Sequence, residues 1–436
     1  MKYRLNQFIK KLSIKDYGIF LFLSGIFFIP SALFIGILLL LPASIIGSFL
    51  QKKNYLEDKW NYPFLAFGTL ILISSFLQNF FLSNDYYKIW DPMLSIIGMF
   101  NWLPFIWFFW AFQPYLDSKI KRRAFGLILI AGTFPVLLSG FAQFFLNWTG
   151  PFKTLYDLII WYQRPIENPG GLSGLFSNQN YAGSWLNFVW PFCIAIFLET
   201  RDNIFRKTVT FSFLISIGLA AFLTYSRNAW IGLLTSIPLV IDIKKLKFFI
   251  SFTTVIILII FFLISPIFSG EIQEYLRSFI PIKILHEFTD AGYQSLDHTR
   301  FEIMTSAINL IKANPFFGIG AASFSPIFFL ETNSFKAHSH NLLLELSISY
   351  GLPTSIIFFT TISIILILSF KKIFIKTNML EIRFFDRAFW ASLFFFLISQ
   401  LFDIQYFDGK ISIIAWILLA GLKNIIDEKK NKKFIS

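Results

Sequence analysis

The sequence is poor in cysteine, histidine and charged residues. Its single cysteine, Cys193, excludes an intrachain disulfide in this chain of 436 residues. Charged residues make up only 14% of the chain, whereas soluble domains contain about 25%. The four histidines form no Cys/His cluster with the spacing of a zinc site. These shortages exclude a water-soluble globule and a disulfide scaffold, and they make redox chemistry and structural zinc unexpected.

Apolar and aromatic residues are abundant instead. Hydrophobic residues make up 56% of the chain, and 59 residues are phenylalanine. Several apolar runs reach the ~20 residues that cross a bilayer as a helix, so the sequence predicts an all-α polytopic membrane protein with about twelve spans. We place these spans near residues 17–30, 32–50, 63–82, 98–115, 124–146, 181–199, 208–225, 229–243, 248–266, 343–370, 388–403 and 411–422. Pro30 and Pro42 leave open whether residues 17–50 form one tilted helix or two.

The basic residues predict the orientation of the spans. The net charge is +13, and most lysines and arginines fall on one side of the membrane in this topology, including Met1–Lys15, residues 119–123 and the tail after Leu422. Short cytoplasmic loops are enriched in lysine and arginine, so we expect both termini in the cytoplasm. The positive charge therefore indicates contact with anionic membrane lipid, and we expect no nucleic-acid partner.

Two segments on the opposite side are too long to be simple connectors. Residues 147–180 are rich in glycine, asparagine and proline, which is typical of a turn-rich polar lining. Residues 267–342 form the larger loop, in which Asp297 as N-cap and Asn314-Pro315 as terminator predict a helix over about 298–313. The predicted organisation is an N-terminal bundle of about nine spans over 1–266, this loop, the C-terminal spans over 343–422 and a cytoplasmic tail over 423–436.

Two arginines on the loop side are candidate anion ligands. Arg227 lies where a span leaves the membrane, on the face where cations are rare, but it could also reach lipid phosphates or pair with a loop carboxylate. Arg300 lies in the first turn of the loop helix, where free N–H groups and the helix dipole favour an anion. The alternative for Arg300 is an ordinary surface arginine.

All four histidines (His286, His298, His338 and His340) lie in the large loop or at its edge. His338 and His340 precede the apolar run after Asn341, where a histidine can exchange a proton near neutral pH. Two histidines at this spacing could also bind a metal, but no Asp or Glu accompanies them locally. A polar cap at a helix start is the other interpretation.

Together these residues resemble the O-antigen ligase and Wzy-type polymerase superfamily. The ligase signature of His, Asn/Ser/Gln, nine residues, Gly, two residues and Gly/Thr/Tyr is complete here as His340-Asn341, Gly351 and Thr354. Three more segments resemble family blocks, namely residues 174–183, 225–232 and 315–320. Asn228 departs from the glycine that is frequent in the family, and the family pattern assigns no role to Glu345.

The resemblance implies a GT-C-like glycosyltransferase of lipopolysaccharide biosynthesis in the bacterial inner membrane, with its active site in the periplasm. It would transfer a glycan from an undecaprenyl-pyrophosphate-linked donor to a hydroxyl of lipid A core or another acceptor, without metal or cofactor. His340, or His338, would be the general base, and Arg227 and Arg300 would hold the pyrophosphate. Asn341, Asn180 and Glu345 would support them. A Wzy-type polymerase is the nearest alternative, and a transporter of bicarbonate or another small solute is a more distant one.

Overall fold

The computed structural model describes residues 13–80, 89–166, 170–200, 203–241, 270–278, 299–375 and 383–428, together with part of 247–263. Within this part the chain is mostly helical, with one two-stranded hairpin. In chain order the helices and strands are α1 Ile14–Phe28, α2 Leu33–Phe49, α3 Asn61–Phe80, α4 Met93–Gly98, α5 Leu103–Ala111, α6 Lys119–Gly132, α7 Phe134–Leu146, β1 Phe152–Thr154, β2 Ile159–Trp161, α8 Gln179–Glu199, α9 Ile204–Leu223, α10 Arg227–Ile241, α11 Glu271–Ser278, α12 Arg300–Ala313, α13 Phe324–Thr332, α14 Leu342–Tyr350, α15 Leu352–Phe370, α16 Phe384–Ser399 and α17 Gly409–Asp427.

The membrane character of the chain is confirmed. Among the described residues, seven helices are long and apolar enough to cross a membrane, counting α4–α5 and α6–α7 as single stretches, and α2 and α10 are shorter apolar helices. Residues 17–50 form two helices, because Pro30 lies in the turn between α1 and α2, while Pro42 lies inside α2. Most of the predicted span 248–266 lies outside the described residues, and the count of twelve stays a prediction.

The chain divides into two compact units. The first contains residues 1–134 and 303–436, and the second contains residues 135–302. In the first unit α1 packs on α2 with Gly25 directly against the Leu40 side chain. Helix α3 packs on α15 through Phe67 and Phe358, whose ring centroids lie 4.9 Å apart. Helix α17 is the most buried of the seven candidate spans.

A buried charge cluster joins three helices of the first unit near their ends. The Nε of Arg122 in α6 lies 2.7 Å from Oδ1 of Asp386 in α16, and its Nη2 lies 2.5 Å from Oε1 of Glu428, which follows α17. Lys423 in α17 lies 2.6 Å from Asp58. Because removing one partner of a buried ion pair leaves an uncompensated charge, these residues hold α6, α16 and α17 in one arrangement.

In the second unit α8 packs between α9 and α10. The Nδ2 of Asn187 donates to the Asn228 carbonyl at 3.1 Å, and the Trp190 indole donates to the Leu233 carbonyl at 3.0 Å. A Cβ on Gly183 would lie 2.9 Å from Cβ of Ala229, so this glycine lets α8 and α10 approach closely. The same Cβ would lie 3.3 Å from Cβ of Ser226, the residue before α10, so the start of α10 lies close to the first two turns of α8.

Candidate functional site

The histidine motif forms a short loop that ends at the start of α14. Asn341 is the N-cap, because its Oδ1 accepts from the Leu344 N–H at 3.1 Å. Its Nδ2 donates to the Leu401 carbonyl at 3.0 Å, and the Leu342 N–H donates to the Gln400 carbonyl at 2.8 Å. The predicted helix start is therefore present, and it is fastened to the turn that follows α16.

His340 pairs with a carboxylate from a distant part of the chain. Its Nδ1 lies 2.9 Å from Oδ1 of Asp403, which is 63 residues further along the sequence. The other carboxylate oxygen of Asp403 accepts from Gln405 Nε2 at 2.9 Å. An acceptor at Nδ1 favours the tautomer with the proton on that nitrogen, and this leaves Nε2 of His340 able to accept a proton.

Asp403 is held by two fully buried glutamines. The Oε1 of Gln400 accepts from the backbone N–H groups of Gln405 and Tyr406, at 2.9 and 3.0 Å. Its Nε2 donates to Gln405 Oε1 at 2.8 Å. The side chains of Gln400, Gln405 and Asp403 thus all have hydrogen-bond partners, as buried polar networks require, and the Asp403 carboxylate is fixed facing His340.

His338 makes different contacts from His340. Its Nδ1 accepts from the His340 backbone N–H at 3.2 Å, so the proton of the neutral ring lies on Nε2. Burial, followed by the neighbouring His340, lowers the pKa of His338 to about 4, although Asp403 opposes the shift. His338 is therefore neutral at pH 7 and presents a donor, which makes it a poorer candidate base than His340.

Glu345 braces the loop from inside α14. This carboxylate is buried, and its Oε2 accepts from the Ser339 N–H at 2.8 Å. Ser339 is itself fully buried and its Oγ donates to the Asn341 carbonyl at 3.2 Å. Glu345 thus holds Ser339, the residue between the two histidines. This contact is a physical reason for a carboxylate one turn into α14.

His338, His340 and Asp403 also form a possible donor set for a metal ion. One ligand atom from each lies within 4.8 Å of the others, and imidazole and carboxylate are common zinc ligands. No acidic residue lies near the two histidines in the sequence, but the fold brings Asp403 beside them. A metal-free site stays a prediction.

The sequence-predicted residues fall into two groups. His338, His340, Asn341 and Glu345 lie together in the first unit. In the second unit, Arg227 is the first residue of α10 and Asn180 lies in the first turn of α8, so these two residues lie at neighbouring helix starts. His286, His298 and Asp297 lie outside the described residues.

Arg300 lies at a helix start, as predicted, although α12 begins there rather than at residue 298. The backbone N–H of Thr299 donates to Glu302 Oε2 at 2.9 Å, and the Glu302 N–H donates to Thr299 Oγ1 at 3.3 Å. This reciprocal pair is a capping box. The Arg300 side chain is exposed, so it is accessible to an anionic ligand.

Asp403 and its glutamines are the functional candidates that the sequence analysis missed. The signal was a cluster of Gln400, Asp403 and Gln405 between two apolar runs, on the side of the membrane that also carries the histidine motif in the predicted topology. Polar residues in such a short turn are candidates for a site when a catalytic histidine is predicted on the same side.

Residues 211–359 match the family model described as O-antigen ligase. The chain is similar to the O-antigen ligase superfamily. This O-antigen ligase segment contains Arg227, Arg300, His338, His340 and the complete histidine motif, whereas Asp403 and Asn180 lie outside it. Among curated proteins, none matches this chain. The match supports a membrane glycosyltransferase of the O-antigen ligase or polymerase type, acting on a lipid-linked glycan donor and an acceptor, and with the apolar helices it suggests a bacterial inner-membrane protein.

Proposed function

We propose that this protein is a GT-C-like, O-antigen ligase-like glycosyltransferase. It transfers a glycan from an undecaprenyl-pyrophosphate-linked donor to a hydroxyl of lipid A core or a similar acceptor on the periplasmic face. The observation that carries this proposal is the pairing of His340 with Asp403, because the motif histidine of the O-antigen ligase segment has the partner that a general base requires. The termini are cytoplasmic in this proposal.

In the proposed reaction His340 acts as the base. The acceptor O–H attacks the anomeric carbon of the donor sugar while Nε2 of His340 takes the hydroxyl proton, and Asp403 stabilises the imidazolium that forms. The new bond joins the anomeric carbon to the acceptor oxygen. The bond from that carbon to the pyrophosphate oxygen breaks, and undecaprenyl pyrophosphate leaves with the electron pair. No metal is required for this sequence of steps.

Arg227 and Arg300 are proposed to bind the pyrophosphate. Both are first residues of helices, where backbone N–H groups and the helix dipole favour negative charge. The start of α8, with Asn180, lies beside the start of α10 and adds a second set of N–H groups. Fixed donors of this kind stabilise the charge that develops on a leaving phosphate.

The complete histidine motif favours a ligase over a polymerase. Its other residues shape the helix after His340: Asn341 caps α14, Gly351 ends it and the Thr354 hydroxyl donates to the Tyr350 carbonyl at 2.8 Å. A polymerase would use the same chemistry but join lipid-linked repeats to each other, so the acceptor separates the two functions.

The test compares surface glycans and extracted lipid-linked glycans from cells with and without the gene. For a ligase, cells without the gene accumulate long chains on undecaprenyl pyrophosphate while the surface acceptor stays bare. Single repeats on the lipid would identify a polymerase. An unchanged profile would contradict glycan transfer and favour solute transport. A gene encoding His340→Asn serves as the matched control, because this variant should lose only the proposed general base.

A further inference from the structure

The segment between α7 and α8 contains an unusual hairpin that the proposed chemistry does not use. Strands β1 and β2 pair antiparallel, with Phe152 opposite Trp161 and Thr154 opposite Ile159. Three consecutive residues at the tip, Leu155, Tyr156 and Asp157, have φ angles of 52°, 54° and 65°. Left-handed backbone is costly for residues other than glycine. The turn therefore has a costly backbone conformation, and it also exposes large apolar side chains.

The tip presents an apolar surface without net charge. Tyr156 is fully exposed, and the side chains of Leu155 and Leu158 beside it are more than half exposed. The two charged residues of the turn neutralise each other, because Lys153 Nζ lies 2.8 Å from Asp157 Oδ2. Contiguous exposed apolar side chains usually mark a contact with a partner or a membrane.

The base of the hairpin is fixed to the end of a membrane helix. The Trp148 N–H donates to the Ala142 carbonyl at 3.2 Å, and the Gln163 side chain bonds both the Trp148 carbonyl and the Ser139 hydroxyl. Ala142 and Ser139 lie about 6 and 10 Å before the end of α7 at Leu146, at 1.5 Å per residue. The base therefore lies level with the last two turns of α7.

The hairpin also continues the apolar surface of that helix end. Phe145, Leu146 and Trp148 are exposed, and α7 belongs to a stretch apolar enough to cross a membrane. The Trp148 ring contacts the Phe152 ring at the base of the hairpin, with centroids 5.3 Å apart. Tryptophan and tyrosine are enriched at the level of lipid headgroups.

We propose that the hairpin is a membrane anchor that lies in the interface between water and lipid. Leu155, Tyr156 and Leu158 enter the boundary between headgroups and acyl chains, and the Lys153–Asp157 pair stays at the headgroup level. The occupant of this surface is the surrounding bilayer. The anchor keeps residues 148–166 and 170–174, which contact α7 through Arg164, Gln163 and Ser173, at the membrane surface.

The test uses fluorescent labels in reconstituted protein. The only cysteine of the sequence, Cys193, is buried, so Leu155→Cys, Tyr156→Cys and Leu158→Cys can each carry a nitrobenzoxadiazole label at one site. The full chain is placed in vesicles of phosphatidylethanolamine and phosphatidylglycerol, with and without lipids that carry a nitroxide near the headgroup. Lys53→Cys, an exposed position in a charged loop, is the comparison site.

The anchor predicts blue-shifted emission at all three tip sites, strong quenching by the nitroxide lipid and weak quenching by aqueous iodide. The label at position 53 should show the opposite pattern. Iodide quenching at the tip equal to that at position 53, with emission unshifted, would overturn the proposal and leave a soluble ligand such as a glycan chain as the partner. Neither outcome depends on transfer activity.

Discussion

His340 adopts a left-handed backbone conformation. Its φ angle is +56°, in a region that only a few per cent of residues other than glycine enter. The hydrogen bond from its N–H to His338 and the pairing of its ring with Asp403 hold it there. Since a residue is retained in a costly conformation when its side chain must point in one direction, the strain agrees with a chemical role for the ring.

Replacing Asp403 by asparagine should remove the base without removing the side chain. Gln405 Nε2 donates to one oxygen of Asp403, so an asparagine would turn its own oxygen towards Gln405 and its NH₂ towards His340. His340 would then accept at Nδ1 and carry its proton on Nε2, where it cannot take another. We expect kcat to fall about 10²-fold or more, with KM for the donor nearly unchanged.

The matched control for this variant is Asp408→Asn, because Asp408 caps α17 through backbone N–H groups and an asparagine can do the same. Steady-state transfer by the two purified variants is the measurement. Equal rates for Asp403→Asn and the wild-type protein would show that Asp403 does not act through His340.

Arg300→Ala should abolish transfer while the protein still inserts and folds. The side chain is exposed at the start of α12, so its removal leaves no buried partner unpaired in the part of the chain that the structure describes. Loss of charge-assisted hydrogen bonds to the pyrophosphate should weaken donor binding about tenfold or more. Donor affinity and turnover are compared with those of Lys312→Ala, an exposed lysine in the last turn of the same helix, and unchanged turnover for Arg300→Ala would refute pyrophosphate binding by this residue.

At the scale of elements, the break between α14 and α15 positions the site. Gly351 has a φ of +90°, and a Cβ there would lie 2.0 Å from the Phe316 carbonyl oxygen. Both the left-handed backbone and the close approach exclude a side chain. The break lets α14 end at Tyr350, while its first residue, Leu342, is fastened to the turn that carries Asp403.

Gly351→Ala should therefore destabilise the protein strongly, by more than the about 1–3 kcal/mol of backbone strain alone. Thermal unfolding in detergent measures this, with Gly270→Ala as the control, because no atom of the described residues lies within 4 Å of a Cβ added at Gly270. An unchanged melting temperature for Gly351→Ala would contradict the tight contact between this glycine and Phe316.

Local signals allowed a helix start after Asn341 to be predicted from the sequence, and a second one near residue 298, two residues before α12 begins. Capping residues, proline and glycine act over a few positions, so they are readable without a fold. The β1–β2 hairpin was not predicted, because the glycine and asparagine around it indicated only turns. The His340–Asp403 pair could not be predicted either, because spacing in sequence does not say which turns meet in space.

Across the whole molecule, the charged residues occur in two settings. Most basic residues lie in segments that the sequence predicts to be cytoplasmic. A few charged residues form buried ion pairs, and Arg122 is fully buried and paired with Asp386 and Glu428. Buried pairs of this kind specify one packing of helices rather than adding much stability. The predicted boundaries of bundle, loop and tail describe topology in a membrane, and they stay a prediction.

A metal-independent enzyme should keep its activity when metals are removed. This prediction could easily fail, because His338, His340 and Asp403 form a possible donor set for a metal ion. The same atoms that accept and relay a proton could bind zinc. Dialysis of the purified protein against EDTA, followed by a transfer assay, should leave the rate unchanged. Loss of activity that added Zn²⁺ restores would replace the general-base mechanism with a metal-assisted one.

The central claim is tested most directly by transfer in a purified system. Wild-type protein and His340→Asn are reconstituted with an undecaprenyl-pyrophosphate-linked glycan and a lipid A core acceptor, and the product is resolved on a gel. Asparagine suits the left-handed backbone at this position, so the variant should fold with the wild-type melting temperature. We expect transfer by the wild-type protein and a loss of about 10²–10⁴-fold in the variant. Equal transfer by both proteins would contradict this expectation.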